Sequence, residues 1–206
     1  MPRLDLCYKK GIVIVHGRSE WHLVRHVYTN LHLPLELISK DKGKSSIQIN
    51  GLLEYMNRKC KCKSLKTFAE EHSIEYDRKN KVLKNFKLFT IMDTDDCEEE
   101  TREKYISGEL FRGHLLSEYI VPVYNTPNLE EIMIRAGIMT RQIRDAEKGT
   151  YYSKIFPLNT EPMSVETINQ VRIFASKLKG IRQTNLMEFI QYCFELLPAG
   201  NLSLEE

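Results

Sequence analysis

Residues 11–15 read Gly-Ile-Val-Ile-Val, an apolar run without a polar interruption and with β-branched side chains at positions 12–15. A strand with one face in water alternates apolar and polar residues. A run without alternation points to a strand buried on both faces, as in a parallel sheet covered by helices. A second run of this kind, Lys87-Leu88-Phe89-Thr90-Ile91-Met92, leads directly into Asp93-Thr94-Asp95-Asp96. These two segments limit the chain to folds in which a sheet lies inside the molecule.

The rest of the sequence supplies the layers around such a sheet. Leu35–Ile38 reads as a short strand and Tyr119–Tyr124 as a longer one, with Pro122 suited to an edge or terminal position. The first helix is expected to be capped by Ser19, to bury Trp21, Leu23, Val24, Val27 and Leu31, and to end at Pro34. Further helices are expected over Ser45–Asn57, Leu65–His72, Cys97–Tyr105 and Asn128–Ala136, the last closed by Gly137. Tyr76–Asn85 is polar and turn-like. Later helices are expected over Thr140–Lys148, Ser164–Leu178 and Thr184–Leu197, with the last six residues fraying. Strands and helices alternate early and helices dominate late. The expected fold is α/β, a Rossmann-like parallel sheet flanked by helices over residues 1–137, with a helical C-terminal extension over 138–206 packed on it.

Composition narrows the class. At 206 residues the chain is long enough to bury a core without disulfides, and 42% hydrophobic against 28% charged residues excludes global disorder. A formal net charge of +2 gives no bulk attraction to nucleic acid, but charge is unevenly placed. Arg58, Lys59, Lys61, Lys63 and Lys66 crowd one segment; Asp93, Asp95, Asp96, Glu98, Glu99 and Glu100 crowd another. The five cysteines have irregular spacing, Met1–Lys10 lacks the apolar core of a secretory signal, and no run approaches a membrane span. A cytoplasmic protein with reduced thiols and no membrane partner is expected.

In a parallel sheet, ligands gather at the carboxyl ends of the strands. That rule puts His16-Gly17-Arg18-Ser19-Glu20, Asp93-Thr94-Asp95-Asp96 and Tyr124-Asn125-Thr126 on one rim. Carboxylates gathered at a strand end repel one another unless a cation compensates, and hard oxygen donors suit Mg²⁺ or Mn²⁺. The same cluster also reads as an acidic helix start. Gly17 permits a tight turn whose amides suit a phosphate, Arg18 is a candidate phosphate contact, and Lys42 and Lys44 are further candidates. Glu20, Glu130 and Glu131 sit in first helical turns, where they also serve as dipole-complementing residues. His22 and His26 lack the glutamate of a zinc protease and are expected at the surface. Cys60-x-Cys62 with His72 lacks a second cysteine pair for zinc. Gly43-Lys44-Ser45 is not a Walker A loop, because Ile38 stands where its first glycine belongs.

These blocks resemble the Toprim domains of topoisomerases, primases, OLD-family nucleases and RloB-like proteins. Toprim domains have a strand, a Glu-Gly-x-Ser/Thr-Asp/Glu turn, and a later strand ending in Asp-x-Asp. Here the first motif is His16-Gly17-Arg18-Ser19-Glu20 and the second Asp93-Thr94-Asp95; Pro127-Asn128-Leu129-Glu130-Glu131 is similar to the helix start of the RloB-like branch. The resemblance covers about residues 9–137. It implies metal-dependent phosphodiester chemistry with Asp93, Asp95 and Glu20 as metal ligands, Asp96 as a further candidate, and a host-defence or mobile-element setting. His16 replaces the glutamate that opens the family motif. Histidine can move a proton near neutral pH or ligate a transition metal, or it can mark lost activity.

Two functions follow as expectations. One is a Mg²⁺- or Mn²⁺-dependent nuclease in which the carboxylates hold the metals, His16 handles a proton, and Lys42, Lys44 and the stretch from Arg58 to Lys66 guide nucleic acid. The other is an inactive binding or adaptor protein on the same fold, with a protein partner or a second copy docking on a surface such as Tyr151, Tyr152, Ile155 and Phe156. An aspartyl-phosphate phosphotransfer reaction on Asp93 ranks last, since that motif belongs on a first strand.

Overall fold

The computed structural model describes residues 8–59, 63–159 and 161–198. Cys7, Cys60, Lys61, Cys62 and the C-terminal residues expected to fray lie outside the described residues.

Four parallel strands form the central sheet: β1 (Gly11–Val15), β2 (Leu35–Ile38), β5 (Lys87–Asp93) and β6 (Ile120–Asn125), in the order β2-β1-β5-β6. The buried run thus lies at the centre of the sheet, and β6 with Pro122 lies at an edge, as expected. Ile12 to Val15 are fully buried. Their alternation divides the core in two. Val13, Val15, Phe89, Ile91 and Val123 pack on one face against α1 (Arg18–Asn30), α5 (Leu129–Arg135), α6 (Asp145–Ile155), α7 (Val165–Leu178) and α8 (Leu186–Glu195). Ile12, Ile14, Leu88 and Met92 pack on the other against α2 (Ile49–Lys59), α3 (Leu65–His72) and α4 (Glu99–Ile106).

The C-terminal helices close the sheet directly. Phe189 is fully buried and stacks edge-on to Phe89 at 5.3 Å between ring centroids. Tyr192 donates its hydroxyl to the Lys10 carbonyl at 2.6 Å. The segment before α8 seals the β6 edge: Asn185 accepts from the Tyr124 amide at 2.9 Å and donates to the Pro122 carbonyl at 3.0 Å.

Several expected boundaries shift, each for a physical reason. Helix α1 begins at Arg18 with Gly17 as its N-cap, so Ser19 lies inside the first turn and is not the cap. It ends at Asn30, ahead of Pro34, because His32 takes a left-handed φ of 49°. Residues 45–48 are not helical: the Ile47 amide is tied to the His16 carbonyl at 2.8 Å, and α2 starts only after that tether. Residues 76–85 form a small antiparallel hairpin, β3 (Tyr76–Asp77) with β4 (Val82–Leu83). The helix expected over Thr140–Lys148 lies further on as α6, where Tyr152 is buried and Phe156 follows as its buried cap. The aromatic stretch considered as a docking surface is therefore largely core. His26 is also buried, not at the surface, with its Nδ1 2.6 Å from the Pro157 carbonyl. An acceptor there means that Nδ1 carries the hydrogen. Among the described residues, no helix is long and apolar enough to cross a membrane.

Candidate functional site: a carboxylate rim

The turn after β1 is built around Glu20. Three residues into α1, its Oε2 accepts the Gly17 amide at 3.0 Å, the reciprocal half of a capping arrangement. That amide is thereby committed to Glu20 and not left for an anion. The short helical turn Asp41–Gly43 lies on top. A Cβ at Gly43 would fall 2.9 Å from both the Gly17 carbonyl oxygen and the Arg18 Cα, and the φ of +79° there also suits only glycine. The β1 turn and the β2 loop are thus pressed together by a close backbone approach.

The last residue of β5 supplies the second carboxyl. Asp93 pairs in register with Asn125 at the end of β6. Its Oδ1 accepts the Leu129 amide at 2.9 Å and the Asn125 side-chain amide at 3.3 Å. The first amide belongs to the start of α5, so that helix end points at Asp93. Asp95 is exposed and accepts from the Asn128 side chain at 2.9 Å. Asp96 turns back toward His16, with 3.9 Å between Oδ2 and Nδ1, too long for a hydrogen bond. The three segments expected to share a rim do share it.

Electrostatically this rim is under-compensated. Burial pushes the Asp93 carboxyl well above the usual carboxylate range, and the charge of Glu20 pushes it further, against the Leu129 amide. Burial also raises Glu20, opposed first by His16. Asp96 is raised by burial and again opposed by His16. Among the described residues, Glu20 Oε1, His16 Nδ1 and both Asp96 carboxyl oxygens are buried without a hydrogen-bond partner. Leaving such atoms unsatisfied costs about 1–3 kcal/mol each, more when charged. Carboxylate oxygens without partners are the donor set that a hard divalent cation takes, so the chemistry of the rim fits Mg²⁺ or Mn²⁺. As they stand, however, no three His, Cys, Asp or Glu side chains among the described residues close around one point as a metal site.

The other expected site residues divide. Arg18 extends toward α6: a Cβ at Gly149 would lie 2.5 Å from its Nη2. Lys42 and Lys44 are exposed on the loop beside the rim. Glu130 is engaged by protein groups, its Oε1 accepting from Tyr152 at 2.8 Å, Lys148 at 2.9 Å and Ser19 at 3.3 Å. Glu131 accepts from Gln142 at 2.7 Å. Sequence reasoning missed the roles of Asn125 and Asn128 as donors to the two aspartates, although both stand in the segment it placed at the rim or at a helix start. It also missed Lys148 and Tyr152 as partners of Glu130. No local pattern announces those contacts, because they span 18 and 22 residues.

Fold and rim together define a class: an α/β protein with a Rossmann-like parallel sheet and a cluster of carboxyls at the carboxyl ends of its strands. No family model matches the chain, and no match was found among curated proteins or solved structures.

Proposed function

We propose that this chain is a metal-dependent phosphodiesterase acting on nucleic acid, through a Toprim-like version of the Rossmann-like sheet. The observation that supports it most is the meeting of Glu20 with Asp93. They come from separate strand ends, are 1% and 9% exposed, and are both held toward the proton-bound form. Burying two carboxyls against each other is unfavourable in isolation, and a cation would remove the penalty. Glu20, Asp93 and Asp95, with Asp96 beside them, would hold Mg²⁺ or Mn²⁺. A divalent ion there supplies charge for the scissile phosphate and acidifies a bound water. His16, next to Asp96, would carry a proton to or from the reacting oxygen. Asn125 and Asn128 would fix the orientation of Asp93 and Asp95, and the Lys42–Lys44 loop would meet the substrate backbone.

The direct test incubates the purified chain with single-stranded DNA, duplex DNA and RNA in Mg²⁺ and then Mn²⁺. Cleavage that Asp93→Ala abolishes is the expected result; equal cleavage by both proteins would remove the proposal. A second reading, a non-catalytic adaptor on the same fold, has two observations in its favour. His16 occupies the position of the motif's glutamate, and no three candidate ligands among the described residues close around one point. Specific Mn²⁺ binding in calorimetry without turnover on any of the three substrates would be its signature.

A further inference from the structure

Helix α1 carries Trp21, Arg25 and Tyr28 at a spacing of four and three residues, which puts them on one face of the helix. That face forms one wall of an open groove of about 570 Å³ whose other wall is the β2 edge. Lys42, from the loop pressed onto the first turn of α1, and Lys59, at the end of α2, complete the groove. Arg25 lies over the Trp21 ring, 5.0 Å from its centroid. Glu36 is the acidic residue of the lining, and it is already committed, to Lys9 at 2.5 Å and to His72 at 3.2 Å. Among the described residues, neither Arg25, Lys42 nor Lys59 forms an ion pair with a carboxylate. The groove therefore brings three cations without a carboxylate ion pair together with the rings of Trp21 and Tyr28, and its α1 wall begins one residue after Glu20 of the carboxylate rim.

We infer that this groove binds a single-stranded nucleic acid segment, with phosphates on Arg25, Lys42 and Lys59 and bases stacked on the Trp21–Arg25 platform and Tyr28. The inference rests on the phosphodiesterase reading above for the destination of the strand, but binding itself needs no metal. Backbone-tracking cations with aromatic faces between them are what sequence-tolerant single-strand binding requires. The helix wall of the groove offers unpaired bases a ring to stack on, which a duplex with its bases turned inward does not use.

Trp21 is the sole tryptophan of the chain, so its fluorescence reports this groove alone. The experiment titrates the full chain with short oligothymidylate and oligouridylate in EDTA, following Trp21 emission and the anisotropy of a labelled oligonucleotide. Saturable quenching is expected, with log K falling against log salt at a slope near −2, roughly 0.7 for each of three phosphates. Lys42→Glu and Lys59→Glu, both exposed substitutions, are each expected to weaken binding at least tenfold, while Lys79→Glu in the exposed turn of the β3–β4 hairpin leaves it within twofold. Binding without quenching, an unchanged affinity in both groove variants, or equal quenching by polyglutamate would each overturn the inference, the last in favour of an acidic protein partner. Cleavage assays in Mn²⁺ run in parallel keep the two ideas separate. Groove binding without cleavage defeats the phosphodiesterase reading alone; cleavage without a Trp21 response defeats the groove alone.

Discussion

Asp93 and Glu20 set how the site responds to pH. Both carboxyls have raised folded-state values, so at these two groups the folded chain binds more protons than the unfolded one, and the stability they contribute falls as pH rises. Their contribution is complete below the ordinary carboxylate range and is lost as pH climbs through the raised values. In thermal unfolding in EDTA this contribution should lower the melting temperature with increasing pH, against His22, His26 and His114, whose lowered folded values act in the opposite direction. Asp93→Asn, which removes the charge but keeps the shape, should flatten that decline, and saturating Mn²⁺ should flatten it in the wild type. Tyr152→Phe tests the neighbouring network. It removes a hydroxyl that donates to Glu130 and stands 2.9 Å from Ser19 Oγ, and should cost about 1–3 kcal/mol in chemical denaturation. At this scale the sequence was readable where a residue's role follows from its neighbours in the chain. Asp93 follows an apolar strand, and Glu20 follows a glycine turn. Glu130 was ambiguous because first-turn glutamates look alike until Tyr152 and Lys148, supplied by α6, fill its oxygen.

Among the elements, the strands were the most legible and the helix starts the least. β1 and β2 match their expected spans, β1 because its run of β-branched residues has no competing periodicity. Two helix starts moved for different reasons: a tertiary bond from the Ile47 amide to His16 delays α2, and a local capping bond from the Gly17 amide to the Glu20 carboxylate puts the cap of α1 at Gly17 rather than Ser19. The β2 edge has its own lock. Glu36 is drawn down to about 2 by its hydrogen bond with His72, aided by Lys9, against the effect of burial. Its depressed folded value makes this contribution complete above the ordinary carboxylate range and progressively lost as pH falls toward about 2. Glu36→Gln should accordingly be less stable than wild type at neutral pH, by a modest amount since the pair is partly solvated, and the difference should close on acidification in a urea-denaturation series.

For the molecule as a whole, the division at residue 137 separates motif-bearing sequence from helical sequence, but the core does not respect it. Val13, Phe89 and Ile91 share one continuous cluster with Leu186, Phe189 and Ile190. Nothing in the local pattern of α8 says which surface its apolar face will meet, and so the later helices read as an extension. Phe189→Ala should cost about 3–5 kcal/mol, as for other large-to-small changes in a core. A fragment ending at residue 137 should lack the cooperative unfolding transition of the full chain in circular dichroism, because the part of the core that α6, α7 and α8 supply, Phe189 against Phe89 included, would be missing and its apolar partners would stand in water.

The seal that Asn185 places on β6 leaves the sheet with unequal borders. A second copy that lengthened the sheet by adding its own strand would meet a blocked ladder at β6 and would have to join at β2, whose residues Glu36, Leu37 and Ile38 line the basic groove. Strand-to-strand self-association and oligonucleotide uptake would then compete for the same frontage, and raising the protein concentration would displace the oligonucleotide rather than recruit more of it.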